Sequence, residues 1–98
     1  MRYARSVHYE IKNGKEQEFT KMFETDVLPS LRKQNGFKDG LMLLDGRHAL
    51  GISVWEDRNS AETYQSSGFP PIVDRLSPVL DAKPRVENYQ VGLSTLRA

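Results

Sequence analysis

Four apolar residues in a row, Leu41-Met42-Leu43-Leu44, constrain this chain more than any other feature. They sit in the run from Phe37 to Glu56, where Asp45-Gly46 is a hairpin signal between two strand-like stretches. A strand turns successive side chains to opposite faces. This strand therefore offers apolar surface to both sides of its sheet. The chain has helical material for one face only. The other face needs a second cover, most simply a second copy of the chain.

The remaining segments read around that hairpin. Residues 2–11 alternate, with Tyr3, Arg5, Val7, Tyr9 and Ile11 on one parity and Ala4, Ser6, His8 and Glu10 on the other. Period-two apolarity with aromatic and β-branched residues predicts a strand. Asn13 and Glu16 have the spacing of a capping box. Phe19, Met22, Phe23, Val27 and Leu31 then recur at helical spacing. A helix is expected over 14–34, ended by Gly36. Pro29 calls for a kink or a short second helix beginning there. In the second hairpin strand (48–56), Leu50, Ile52 and Val54 alternate with Ala49, Gly51, Ser53 and Trp55. The large-residue face is expected to pack under helices. The small-residue face leaves room for a pocket beside the Trp55 ring.

Asn59-Ser60-Ala61-Glu62 opens a second helix, interrupted at Gly68 and Pro70-Pro71. Ile72 to Leu80 suggests a further helical piece, disturbed by Pro78. Residues 85–94 read as the last strand. The order β-α-β-β-α-β over residues 1–98 is one α+β domain. It is the ferredoxin-like βαββαβ arrangement, a four-stranded antiparallel sheet with helices on one face.

Composition removes several function classes. The net charge is +1, and basic residues are interleaved with acidic ones. There is no basic stripe, and residues 48–56 lack the basic-Gly-aromatic run of RNA-recognition sheets. No nucleic-acid partner is expected. There are no cysteines, so disulfides, thiolate sites and cysteine nucleophiles are excluded. The two histidines have no ligand-like spacing, so no metal site is expected. The N-terminus has no apolar signal region and no segment reaches the roughly 20 apolar residues of a membrane span. A cytoplasmic protein without a membrane partner is expected.

Several motifs carry a family resemblance. Lys-Asn-Gly-Lys precedes the first helix, and Val27-Leu28-Pro29 lies within it. Asn35-Gly36-Phe37 starts the second strand, Val54-Trp55-Glu56 ends the third, and Tyr64-Gln65-Ser66-Ser67 lies in the second helix. Together they resemble the antibiotic biosynthesis monooxygenase family of dimeric α+β barrels. The resemblance implies a homodimer in which two sheets face each other. Several members oxidise phenolic, anthrone or quinol compounds with molecular oxygen, without metal or flavin. Others cleave heme, and many have no known activity. The heme branch fits poorly. Its second-helix Trp falls at Tyr64, its axial His falls at Val73-Asp74, and its first-strand Asn falls at Val7. No cofactor is therefore expected.

Trp55, Tyr64 and His8 are the catalytic candidates. The Trp55 ring could stack on a flat substrate and its N–H donate to a carbonyl. A core or interface Trp would read the same way. Tyr64 follows Ala61 by three helical positions and is either a cavity residue or a helix-to-sheet packing residue. His8 is a candidate for proton transfer, the work histidine side chains do near neutral pH, or is a structural or surface His. His48, beside the turn, reads as solvated. Arg5, Tyr9 and Ser53 are the substrate-binding candidates. An Arg among aromatics could hold an anionic oxygen, or pair with an acidic residue of a partner subunit. The expectation is a cofactor-independent monooxygenase acting on a small aromatic or quinol-like molecule. A non-catalytic small-ligand-binding or stress-related dimer is the alternative, and an isomerase or decarboxylase on the same barrel is not separated from the first by sequence.

Overall fold

The computed structural model describes residues 1–96. Four strands form one antiparallel sheet: β1 (Tyr3–Glu10), β2 (Phe37–Asp45), β3 (His48–Trp55) and β4 (Arg85–Gln90). Their spatial order is β2-β3-β1-β4. The connections carry α1 (Glu16–Met22), a π-helical turn (Phe23–Val27), α2 (Leu28–Arg32), α3 (Arg58–Ser66), α4 (Phe69–Leu76) and a 3-10 turn (Ser77–Val79). This is the expected ferredoxin-like α+β order, with β4 ending four residues short of the sequence reading.

The first helical arm departs from a straight helix at its proline. Pro29 has no N–H, and its ring would clash with the carbonyl four residues earlier. The chain answers with a widened turn just upstream, in which the Leu28 N–H reaches Phe23 O, five residues back. A short α2 then starts with the proline in its first turn, where the missing N–H costs nothing. The Asn13 capping box does not form. Lys15 precedes α1 without a side-chain cap. In the second arm the cap is Asp57 rather than Asn59, its carboxylate accepting from the Ser60 N–H at 2.8 Å. Arg75 of α4 donates to Asp26 at 3.1 Å and joins the two helical arms across the surface.

The inner face of the sheet is the reverse of the expectation for β3. Ala49, Gly51, Ser53 and Trp55 face the helices, and Leu50, Ile52 and Val54 lie on the other face. The β1 register explains this. Tyr9 pairs with Ala49, Val7 with Gly51, Arg5 with Ser53 and Tyr3 with Trp55. The bulk that fills the core comes from β1 and the first arm, where Tyr9, Phe19 and Phe23 pack as a ring cluster with centroids 5.3–6.2 Å apart. Small residues opposite are what interior packing density then requires. A Cβ on Gly51 would already lie 3.4 Å from the Tyr9 ring and 3.5 Å from Phe23.

Among the described residues, no helix covers the outer face. Leu41 and Leu43 there are 49% and 47% exposed, and the register places Leu43 beside Leu50 and Leu41 beside Ile52. Met42 points the other way and packs against the core. The double-sided apolar character of residues 41–44 is thus real, and one side of it has no cover among the described residues.

Gly36 closes the first arm at φ 83°, and its carbonyl accepts from the Glu56 N–H at 2.7 Å. A Cβ there would sit 2.3 Å from Ser60 Oγ. Gly46, in the hairpin loop at φ 60°, has nothing within 4 Å. Gly46→Ala should therefore cost only the left-handed strain, about 1–2 kcal/mol. Gly36→Ala should cost more, because the clash adds to the strain. Urea unfolding midpoints of the two variants check the order.

Candidate active site

One row of the inner sheet face sets the geometry. Read across the sheet, it is Gly40, Ser53, Arg5 and Asn88. The first two have little or no side chain, so a hollow forms beside the Arg5 side chain. Tyr9, Phe23, Val27, Leu28, Leu31, Tyr64 and Phe69 wall it from the other elements. The cavity holds about 20 Å³, room for about one water. Its floor is hydrogen-bonded sheet. Its roof includes the π-helical turn, whose backbone ladder is irregular.

Arg5 is 2% exposed. Its guanidinium lies 4.9 Å from the Tyr64 ring centroid and 4.6 Å from that of Phe69. Its Nη2 donates to Gln65 Oε1 at 2.5 Å. Among the described residues no carboxylate forms an ion pair with it. Burial lowers its pKa, while Tyr64 and Tyr9 act in the opposite direction. An arginine starts so high that it remains a cation at neutral pH. Two cation–π contacts, worth up to about 2 kcal/mol each, and the amide bond offset much of the desolvation. The deficit that remains is Nε, which is buried with no hydrogen-bond partner. Such a group costs about 1–3 kcal/mol, more when charged.

Both tyrosines beside Arg5 are held neutral. Burial pushes the Tyr9 phenol well above its ordinary value, with Tyr64 adding and Arg5 opposing. Burial also raises Tyr64, again against Arg5. Neither supplies a counter-charge at neutral pH.

Of the residues singled out from the sequence, Arg5, Tyr9, Ser53 and Tyr64 meet at this cavity. Trp55 lies behind it. Its ring is fully buried and stacks on Tyr64 with centroids 5.1 Å apart. Its N–H is committed to Ser53 Oγ at 2.8 Å, so the expected donation to a substrate carbonyl does not fit this arrangement. His8 does not join the group. It has the opposite strand parity and faces outward, its ring 5.7 Å from His48 in an edge-on contact. Those two histidines line an outer-face groove of about 720 Å³ with Arg85, Glu10, Leu43 and Leu50 among others. Sequence reasoning missed Gln65 and Phe69. Gln65 lies 60 positions from Arg5, and no spacing signals that pairing. Phe69 reads as part of a helix break, but it is the first residue of α4 and is buried.

Among the described residues, no group of three or more His, Cys, Asp or Glu side chains is placed to hold a metal ion. None of their helices is long and apolar enough to cross a membrane.

The raised pKa values make a stability prediction. A phenol that ionises less readily when folded contributes stability that is intact below the unfolded pKa, near 10, and is lost as pH rises further. Unfolding free energy should therefore fall above about pH 10. Absorbance of tyrosinate should show Tyr9 and Tyr64 ionising only as the fold is lost. Tyr9→Phe should flatten the alkaline fall.

No family model and no functionally curated protein matches the sequence. Solved structures do match. A protein of unknown function from Nitrosomonas europaea superimposes with a TM-score of 0.84 at 18% identity, covering 99% of this chain and 95% of that one. SnoaB, a cofactor-independent oxygenase from Streptomyces nogalater, gives 0.79 at 15% identity, covering 98% of both chains. The ActVA-Orf6 monooxygenase of Streptomyces coelicolor, solved with the ligand Nanaomycin D, gives 0.78 at 14% identity, covering 98% of this chain and 92% of that one. With this element order, this sheet and these neighbours, the chain has the fold of the antibiotic biosynthesis monooxygenase type.

Proposed function

We propose that the protein is a cofactor-independent monooxygenase that oxidises a small aromatic or quinol-like compound with molecular oxygen. The observation that carries this reading is the water-poor, aromatic-walled hollow beside Arg5, with Gly40, Gly51 and Ser53 as its floor. Aromatic walls with a few convergent polar groups are what a flat ring needs, and the hollow of about 20 Å³ must widen to admit one. Arg5, Tyr9 and Ser53 bind the substrate, Tyr64 contacts its face, and Trp55 positions Tyr64 and Ser53 from behind. For an anthrone-type substrate the balance is simple. A ring-flanked CH2 becomes C=O, one atom of O2 stays as the carbonyl oxygen and the other leaves as water. The substrate supplies all four electrons. Tyr9 and Tyr64, being neutral, donate hydrogen bonds to the electron-rich form and keep bulk water out.

The protein acts as a homodimer in this reading. Exposed Leu41 and Leu43 lie beside half-buried Ile52 and Leu50 on the outer face, and apolar patches of this kind mark interfaces. The same patch on a second copy is the matching surface for a two-fold contact. Sedimentation should give a dimer, and Leu43→Lys a monomer. A monomeric wild type at tens of micromolar would remove the dimer from the account.

Oxygen uptake with a panel of anthrones and reduced quinones tests the activity. Turnover above the uncatalysed rate is expected, unchanged by chelator. Gly51→Ala places a methyl in the floor at ordinary contact distance, so it should fold normally and lose at least about tenfold in kcat/KM, about 1.4 kcal/mol of transition-state stabilisation. No uptake across the panel would favour a non-catalytic small-ligand-binding dimer. That second reading draws on the absence of a general base at the cavity, since both tyrosines are neutral and His8 lies on the other face.

A further inference from the structure

We infer that His8, His48 and Glu10 form a binding site for a divalent metal ion of the zinc class on the outer face of the sheet. The site is separate from the cavity beside Arg5 and independent of oxygenase chemistry. The chain has two histidines and no cysteine, so an ion that prefers nitrogen or sulfur ligands has this pair alone to choose. The two are far apart in sequence, and their spacing signals nothing. The β1–β3 register nevertheless brings their rings to 5.7 Å between centroids, at 77° to each other. Metal–nitrogen bonds of about 2.0–2.1 Å at tetrahedral angles put two such centroids roughly 5 Å apart. A small side-chain rotation closes the difference.

Register also supplies a third ligand. Glu10 is directly across from His48 and two residues from His8 on the same strand face, so it borders both rings. Directly opposed Cβ atoms lie about 4.5–5.5 Å apart and diagonal ones about 7–8 Å. As the side chains stand, no three ligand groups converge among the described residues. Glu10 is exposed and forms no ion pair among them, so its carboxylate turns onto an ion without breaking a salt bridge. The backbone beneath is fixed. Glu10 O accepts from the Asp81 N–H at 2.9 Å, and the Ile11 N–H donates to Arg47 O at 2.7 Å. Ligands carried on hydrogen-bonded strands keep their spacing better than ligands on loops. Asp45, across from His48 on β2, adds a second negative charge. Arg85, across from His8 on β4, adds an opposing positive one. All five side chains line the groove of about 720 Å³, which leaves room for water at the ion's remaining positions. Two imidazoles and one carboxylate suit Zn²⁺ and its transition-metal neighbours. They do not suit Mg²⁺ or Ca²⁺, which take oxygen ligands.

Calorimetric titration of the full chain with ZnCl2 in chelator-free buffer at neutral pH tests this. MgCl2 is the comparison, and NMR of the histidine ring nitrogens is the second readout. One Zn²⁺ per chain with micromolar affinity is expected, with both histidine spectra changing together and no uptake of Mg²⁺. His8→Gln, His48→Gln and Glu10→Gln should each lose at least about tenfold in affinity. Arg85→Gln should tighten binding about threefold, because it removes a repelling charge in a high-dielectric setting. All four positions are exposed or half-buried, so these variants keep the fold, which circular dichroism checks. No Zn²⁺ binding at submillimolar concentration would overturn the inference. So would binding that survives both histidine substitutions, or Mg²⁺ binding as tight as Zn²⁺. If the histidine variants weaken binding and Glu10→Gln does not, the pair holds an adventitious ion only, and the three-ligand site is overturned.

Discussion

A guanidinium held between a sheet and two aromatic rings, with no carboxylate against it among the described residues, organises this molecule. Cations are rarely buried alone, because losing water is expensive and the chain usually supplies an acid in compensation. Here the compensation is indirect. Tyr64 and Phe69 present their faces, Gln65 presents a carbonyl, and Ser53 and Gly40 leave open space on the same row. These residues come from α3, α4, β3 and β2, so placing Arg5 ties α3 and α4 to the sheet at β1 and β3.

The same arrangement explains why the β3 strand is turned the way it is. Hydrophobic content alone would bury Leu50, Ile52 and Val54 under the helices. The core is filled instead by large side chains from β1 and the first arm, and β3 contributes the space they need. The large residues of β3 are then left for the outer face, where they join Leu41 and Leu43. The hollow and the apolar outer patch have one cause, and in the proposed dimer they serve different ends, one for ligand and one for a second copy.

Much of this was legible in the sequence. Alternation fixes the strands, and the hairpin follows from Asp45-Gly46. The parity of Arg5 with Tyr9 and Val7 could be read directly. What could not be read is which β3 face is inward, because that depends on volume supplied by Tyr9, Phe19 and Phe23 from other elements. Trp55 reads as a ligand-stacking ring beside small residues, yet its N–H is taken by Ser53 two positions away, a bond visible only with both side chains in place. His8 reads as a proton carrier, but strand parity sends it to the face opposite Arg5. The π-helical turn has no periodicity of its own. Only Pro29 hints at it, and a proline allows a kink or a break equally well.

Among the described residues Arg5 is a buried cation with no carboxylate against it and no hydrogen-bond partner for its Nε, and the proposed function makes it a substrate-binding residue. The most direct measurement is the proton–nitrogen NMR correlation of the Arg5 Nε–H, assigned by its loss in Arg5→Lys. With saturating 1-naphthoate this resonance should move strongly downfield and its exchange with water should slow, while 1-naphthalenemethanol leaves it in place. An Nε–H signal that responds equally to the alcohol and the acid would contradict the account.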